Sequence, residues 1–175
     1  MDLIRKNRIV SEAKKAFNEA ITIFLCKDND LPIDIHERTT VSRIAHYMAN
    51  LIEENFVFAE KNIKVDVEYN RNESETKRYD GQLMYVDLIV HRRGDNNPKT
   101  RDNILICEFK NNFCSVEDRD RITKMVQDDT YGYLIGTTMN LRRFRRGKAT
   151  LADINWVLRD DSPLIKESET YERTD

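Results

Sequence analysis

The 175-residue sequence has no long apolar run, no Gly-rich phosphate loop and no zinc-type spacing of Cys or His. Each absence removes a class of function. No segment approaches the roughly 20 apolar residues that a membrane-spanning helix needs, so no membrane role is expected. Without a phosphate loop, nucleotide-driven activity is not expected. The three cysteines, Cys26, Cys107 and Cys114, are an odd number without paired metal spacing. That pattern argues against a disulfide framework and places the protein in a reducing compartment, the cytoplasm by expectation. His36 and His91 lack partners at zinc spacing, so no zinc site is assigned. Excess basicity is missing too: Lys+Arg 29 stand against Asp+Glu 31, a net charge of −2. Any affinity for nucleic acid must then come from local patches. The first turn carries Asp2, Arg5, Lys6 and Arg8, unlike a signal peptide. No repeat, low-complexity tract or linker divides the chain, and a single domain over 1–175 is expected.

What is present is a change of period. Ile9, Val10, Ala13, Ala16, Phe17, Ala20, Ile21 and Phe24 recur at helical spacing and predict an amphipathic helix over residues 2–25. After a loop, Val41, Ile44, Ala45, Met48, Leu51 and Ile52 predict a second helix from about His36 to Asn55. Strict alternation in Ile63–Tyr69 then reads as a half-buried strand. Residues 71–82 read as a polar loop, 83–91 as a mostly apolar strand and 92–102 as a turn holding Gly94 and Pro98. NILICEFK (103–110) is a third strand, apolar on both faces as a covered central strand should be. Ser115 with Asp118 forms a helix N-cap signature. Strands are expected over 131–138 and 154–158, and residues of about 160–175 as a loose polar tail. The fold class is therefore α/β: a mixed, mostly antiparallel central sheet flanked by helices, in α-α-β-β-β-α-β-β order.

The third strand poses a chemical problem, because its apolar run ends in Glu108 and Lys110 on one face. Glu-x-Lys occurs three times, but the copies at Glu12 and Glu75 fall in a helix and a polar loop. If strands two and three pair around a turn centred between Asn97 and Pro98, Asp87 lies opposite Glu108. Like charges so opposed are destabilising unless a cation lies between them. A hard divalent ion such as Mg²⁺ takes oxygen ligands of this kind.

Val86-Asp87, then Glu108-Phe109-Lys110, in this order of elements, resembles the PD-(D/E)XK nuclease superfamily, over about residues 35–138. Val86 stands where that motif usually has proline. The runs VDVEYNR, VDLIVHRRG and ILICEFK also look like its small stand-alone members. The resemblance implies a restriction-endonuclease-like core, with Mg²⁺ (or Mn²⁺) held by Asp87, Glu108 and the backbone carbonyl of Phe109. It also implies that Lys110 orients and helps deprotonate the attacking water, acidified by the adjacent cation.

Glu37 continues the core-facing stripe of Val41, Ile44 and Met48 and is a candidate fourth member; such nucleases can use a helix glutamate as an outer metal ligand. The plain alternative is an acid favoured by the helix dipole. Glu68, on the polar face of the first strand, is a weaker candidate beside Asp87, with a solvated strand face as the plain alternative. RRFRRGK, with Arg142, Arg143, Arg145, Arg146 and Lys148, is the densest basic stretch and either grips phosphates or is simply solvated. The expected function is metal-dependent phosphodiester hydrolysis, with DNA the substrate ahead of RNA and a homodimer or partner protein supplying specificity. The rival expectation is a nuclease-like fold that binds nucleic acid or protein without cutting.

Overall fold

The computed structural model describes residues 3–28, 31, 35–59, 62–69, 71–72, 75–76, 78–79, 82–83, 85–93, 103–111, 113–143, 150–159 and 166–172. Two long helices come first, α1 (Leu3–Lys27) and α2 (Glu37–Glu54), followed by the single turn α3 (Phe56–Ala59). Six strands form one sheet: β1 (Ile63–Tyr69), β2 (Val86–Arg92), β3 (Asn103–Lys110), β4 (Ile135–Arg143), β5 (Thr150–Leu158) and β6 (Lys166–Glu172). Helix α4 (Val116–Gln127) lies between β3 and β4. Short ladders between Arg71–Asn72 and Glu75–Thr76, and between Arg78–Tyr79 and Gln82–Leu83, occupy the expected loop and the first residue of the strand expected over 83–91, which begins instead at Val86.

Strand order in space follows strand order in sequence. All neighbouring pairs are antiparallel except β3–β4, which is parallel and therefore needs a crossover, supplied by α4. The larger core joins α1 and α2 to one face of the sheet, where Phe17 meets Trp156 edge to face with ring centroids 5.4 Å apart. The smaller core joins Ile122, Met125 and Val126 of α4 to Ile89, Ile106 and Tyr133. Helix α4 approaches β4 at Gly136, where a Cβ would stand 2.6 Å from methyl groups of both Ile122 and Val126. The strand leaves room there for the helix and nothing more.

Later in the chain, too, expectations change. The fourth strand, expected over 131–138, starts only at Ile135 and runs on to Arg143, and the fifth, expected over 154–158, starts earlier, at Thr150, and ends at Leu158. Residues 166–172, expected to be loose, pair with β5 as β6. A polar edge strand is held by ladder hydrogen bonds, which leave no apolar period in the sequence.

Candidate active site

The site forms where β2 begins and β3 ends. Leu88 pairs with Cys107, Ile89 with Ile106 and Val90 with Leu105. Continued by one residue, that register sets Asp87 against Glu108. The Asp87 carboxylate accepts the backbone N–H of Phe109 at 2.7 Å, so it is fixed to the strand that carries Glu108. Lys110 returns along β3 to donate to Glu108 Oε1 at 2.9 Å, which its same-face position allows.

Two helices close on this strand end. At the start of α2, Glu37 accepts the backbone N–H of Asn111 at 3.1 Å, and its other oxygen lies 3.6 Å from Lys110 Nζ. The Asn111 amide donates to the Ile35 carbonyl, also at 3.1 Å, and ties the end of β3 to the entrance of α2. From α4, Arg121 Nη2 reaches Glu108 Oε1 at 2.6 Å and Asp118 Oδ1 at 2.7 Å. Asp118 and Ser115 form the expected capping box, which fixes the first turn of α4. On the other side, Glu37, Asp87 and Glu68 line a cleft of about 170 Å³ between α2 and β1. Glu68 is bracketed by the pairs Val67–Leu88 and Tyr69–Val86, hence opposite Asp87, and it has a left-handed φ of 50°. Its side chain is paired with Arg38 at the rim.

Burial sets the electrostatics. Asp87 is pushed up to about 6, first by desolvation and then by the charge of Glu108. Burial alone would lower Lys110, but its hydrogen bond to Glu108 and the charges of Glu108, Glu37 and Asp87 raise it above the usual lysine range. Among these three carboxylates Lys110 holds its proton, even with Arg121 on the same Glu108 oxygen; the acidification expected of it requires a divalent ion close by. The cysteines take no part. Burial raises the Cys107 thiol and pushes Cys114 up to about 12, so neither is a reactive thiolate.

The distribution of unpartnered atoms tests whether a metal fits. Glu108 is 5% exposed, both cations bind its Oε1, and its Oε2 is buried with no hydrogen-bond partner. Three further buried atoms without partners lie around it: Arg121 Nε, Thr138 Oγ1 and Asn140 Oδ1. In the parallel ladder Thr138 pairs with Glu108 and Asn140 with Lys110, so these orphans belong to one neighbourhood. Four carboxylates (Glu37, Asp87, Glu108 and Asp118) meet two cations (Lys110 and Arg121), an excess of two negative charges when all are ionised. An oxygen-only donor set with that excess suits a hard divalent ion. Among the described residues, however, no three His, Cys, Asp or Glu side chains form a ready cage for an ion. Glu108 is turned toward Lys110 and Arg121.

Asp87, Glu108, Lys110 and Glu37 therefore come together as the sequence suggested. Arg142 and Arg143 close β4 just beyond Asn140, at the same end of the sheet, though only their backbone is described. Arg145, Arg146 and Lys148 lie outside the described residues. Arg93 sits at the opposite end of β2, where it and His91 bind Asp66, with His91 Nε2 at 2.7 Å. Among the described residues no helix is long and apolar enough to cross a membrane. Arg121, Asn111, Thr138 and Asn140 are the site residues that sequence reasoning missed. A signal existed only for Arg121: a cation one turn after Asp118 and one turn before Met125, in line with the buried side of its helix. Compared with protein-family models, characterised proteins and solved structures, the chain matches none.

Proposed function

We propose that this protein is a Mg²⁺- or Mn²⁺-dependent nuclease that hydrolyses phosphodiester bonds in DNA, built on a restriction-endonuclease-like core of the PD-(D/E)XK kind. One observation carries the reading. Two carboxylates from facing strand ends flank a lysine, and the deeper carboxylate keeps a buried oxygen without a partner.

Asp87, Glu108 through Oε2, and the Phe109 carbonyl would hold the ion, with Glu37 contributing directly or through water. A divalent ion bound there would acidify a water molecule and neutralise charge building on the phosphoryl oxygens. Lys110, held by Glu108 and near Glu37, orients the attacking water and donates to the phosphate. Glu37 and Asn111 keep that lysine and the end of β3 in place. The placement of Arg142 and Arg143 at this end of the sheet supports a polyanionic substrate. Specificity comes from a second copy of the chain or a partner protein, in a reducing compartment such as the cytoplasm.

The test is cleavage of plasmid, single-stranded and branched DNA with Mg²⁺, with Mn²⁺ and with chelator. Cutting is expected only with metal and is expected to disappear in Lys110→Ala. Equal cutting in chelator, or full cutting by the variant, removes the mechanism. One feature favours the rival reading of a binding module: Lys110 and Arg121 already neutralise Glu108 without an ion. On that reading the protein shifts DNA on a gel and never cuts it.

A further inference from the structure

We infer that Arg121 is a positioning residue that holds Glu108 by one oxygen, reserves the other for the cation, and competes electrostatically with that cation. The inference rests on the proposed metal-dependent reading of the site. Among the described residues Arg121 is the only link between α4 and the Glu108 carboxylate: Nη2 spans Glu108 Oε1 and Asp118 Oδ1 at 2.6 and 2.7 Å. Asp118 is itself pinned, since one of its oxygens accepts from the backbone N–H and hydroxyl of Ser115. Ser115, Asp118, Arg121 and Glu108 thus form a continuous chain from the helix cap to the candidate ligand. A guanidinium always carries its charge and binds carboxylates with fixed geometry, which a flexible ammonium does not.

Two consequences have opposite signs. Fixing Oε1 orients Glu108 and leaves Oε2 as the only free oxygen of that group, which favours a correctly placed ion. The same positive charge, within bonding distance of a candidate ligand, repels a divalent cation and weakens its binding. Replacing Arg121 by a neutral side chain therefore tightens metal binding while harming turnover. Loss of a residue that merely supported the fold slows turnover without tightening metal binding.

The experiment measures Mn²⁺ binding to the full chain by titration calorimetry, with DNA cleavage followed in parallel. Arg121→Gln is expected to bind Mn²⁺ about tenfold more tightly than wild type and to cut more slowly at saturating Mn²⁺. Arg121→Met, which keeps the apolar stem, repeats the test should the glutamine variant fail to fold. Arg121→Lys restores the charge and is expected to return the affinity to near the wild-type value. Asp118→Asn leaves the guanidinium charge to Glu108 alone and is expected to weaken binding, the opposite direction from Arg121→Gln. Neutral variants that bind Mn²⁺ no more tightly than a wild type that does bind and cut overturn the inference and leave the nuclease reading intact. A wild-type chain with no saturable Mn²⁺ binding overturns both.

Discussion

The Asp87 carboxylate accepts the backbone N–H of Phe109, the residue between Glu108 and Lys110. One hydrogen bond thus fixes an acid on β2 to the centre of the Glu-Phe-Lys stretch on β3. Its cost is the desolvation of Asp87 beside Glu108.

That cost is visible in pH dependence. Asp87 stands at about 6 in the fold against an ordinary 3.8. The folded state holds this proton more tightly than the unfolded chain, so stability falls as pH rises through that interval and stays lower above it. Asp87→Asn keeps an acceptor for Phe109 and removes the charge. Thermal melts are expected to show it about 2 kcal/mol more stable than wild type at pH 8, the gain fading toward pH 4. A variant less stable than wild type at pH 8 contradicts this account.

Asp66 behaves in the opposite sense. Burial alone would raise it, but hydrogen bonds from His91 and Arg93 hold it far below the usual carboxylate range. Its contribution is present above the ordinary carboxylate value and is lost as pH falls from about 4 toward the depressed folded value. Asp66→Asn is expected to cost about 2 kcal/mol in denaturant unfolding at pH 7 and progressively less below pH 4. A penalty that does not change between pH 7 and pH 3 excludes the charged pairings as its source.

Much of this arrangement was legible in the sequence, for identifiable reasons. Helices α1 and α2 each bury one clean stripe, and the sequence of β1 alternates strictly even though its Val67 is exposed, so period alone located them. Asp87 and Glu108 could be paired because they lie symmetrically about the intervening turn. Strand β4 was cut short at Thr138 because Thr138 and Asn140 are polar residues that are nonetheless buried, and burial of that kind leaves no apolar signature. Arg121 was missed for a related reason. Spacing sets it in line with the buried side of α4, but the partner it meets there, Glu108 on β3, is a long-range fact that local spacing does not encode.

The close approach at Gly136 makes a third prediction. Gly136→Ala places a methyl group where Ile122 and Val126 already stand, and it is expected to destabilise by about 1–3 kcal/mol through overpacking. Because α4 carries Arg121, the same change is expected to reduce the proposed DNA cleavage as well. Unaltered denaturant midpoints would show that α4 can shift outward at little cost.

The cap of that helix supplies a fourth. Ser115→Ala removes the hydroxyl that accepts the Asp118 backbone N–H at 3.1 Å, and is expected to cost about 1 kcal/mol. Hydrogen exchange should accelerate first in residues 116–119. Loss confined to another helix would break the assignment.

The slip in the β2–β3 ladder between Val90 and His91 lies on the turn side of the pairs that bring the two acids together. Length differences in the connecting segment are therefore absorbed before they reach the end that carries Asp87 and Glu108. A lengthened or shortened connection between β2 and β3 leaves Asp87 and Glu108 face to face.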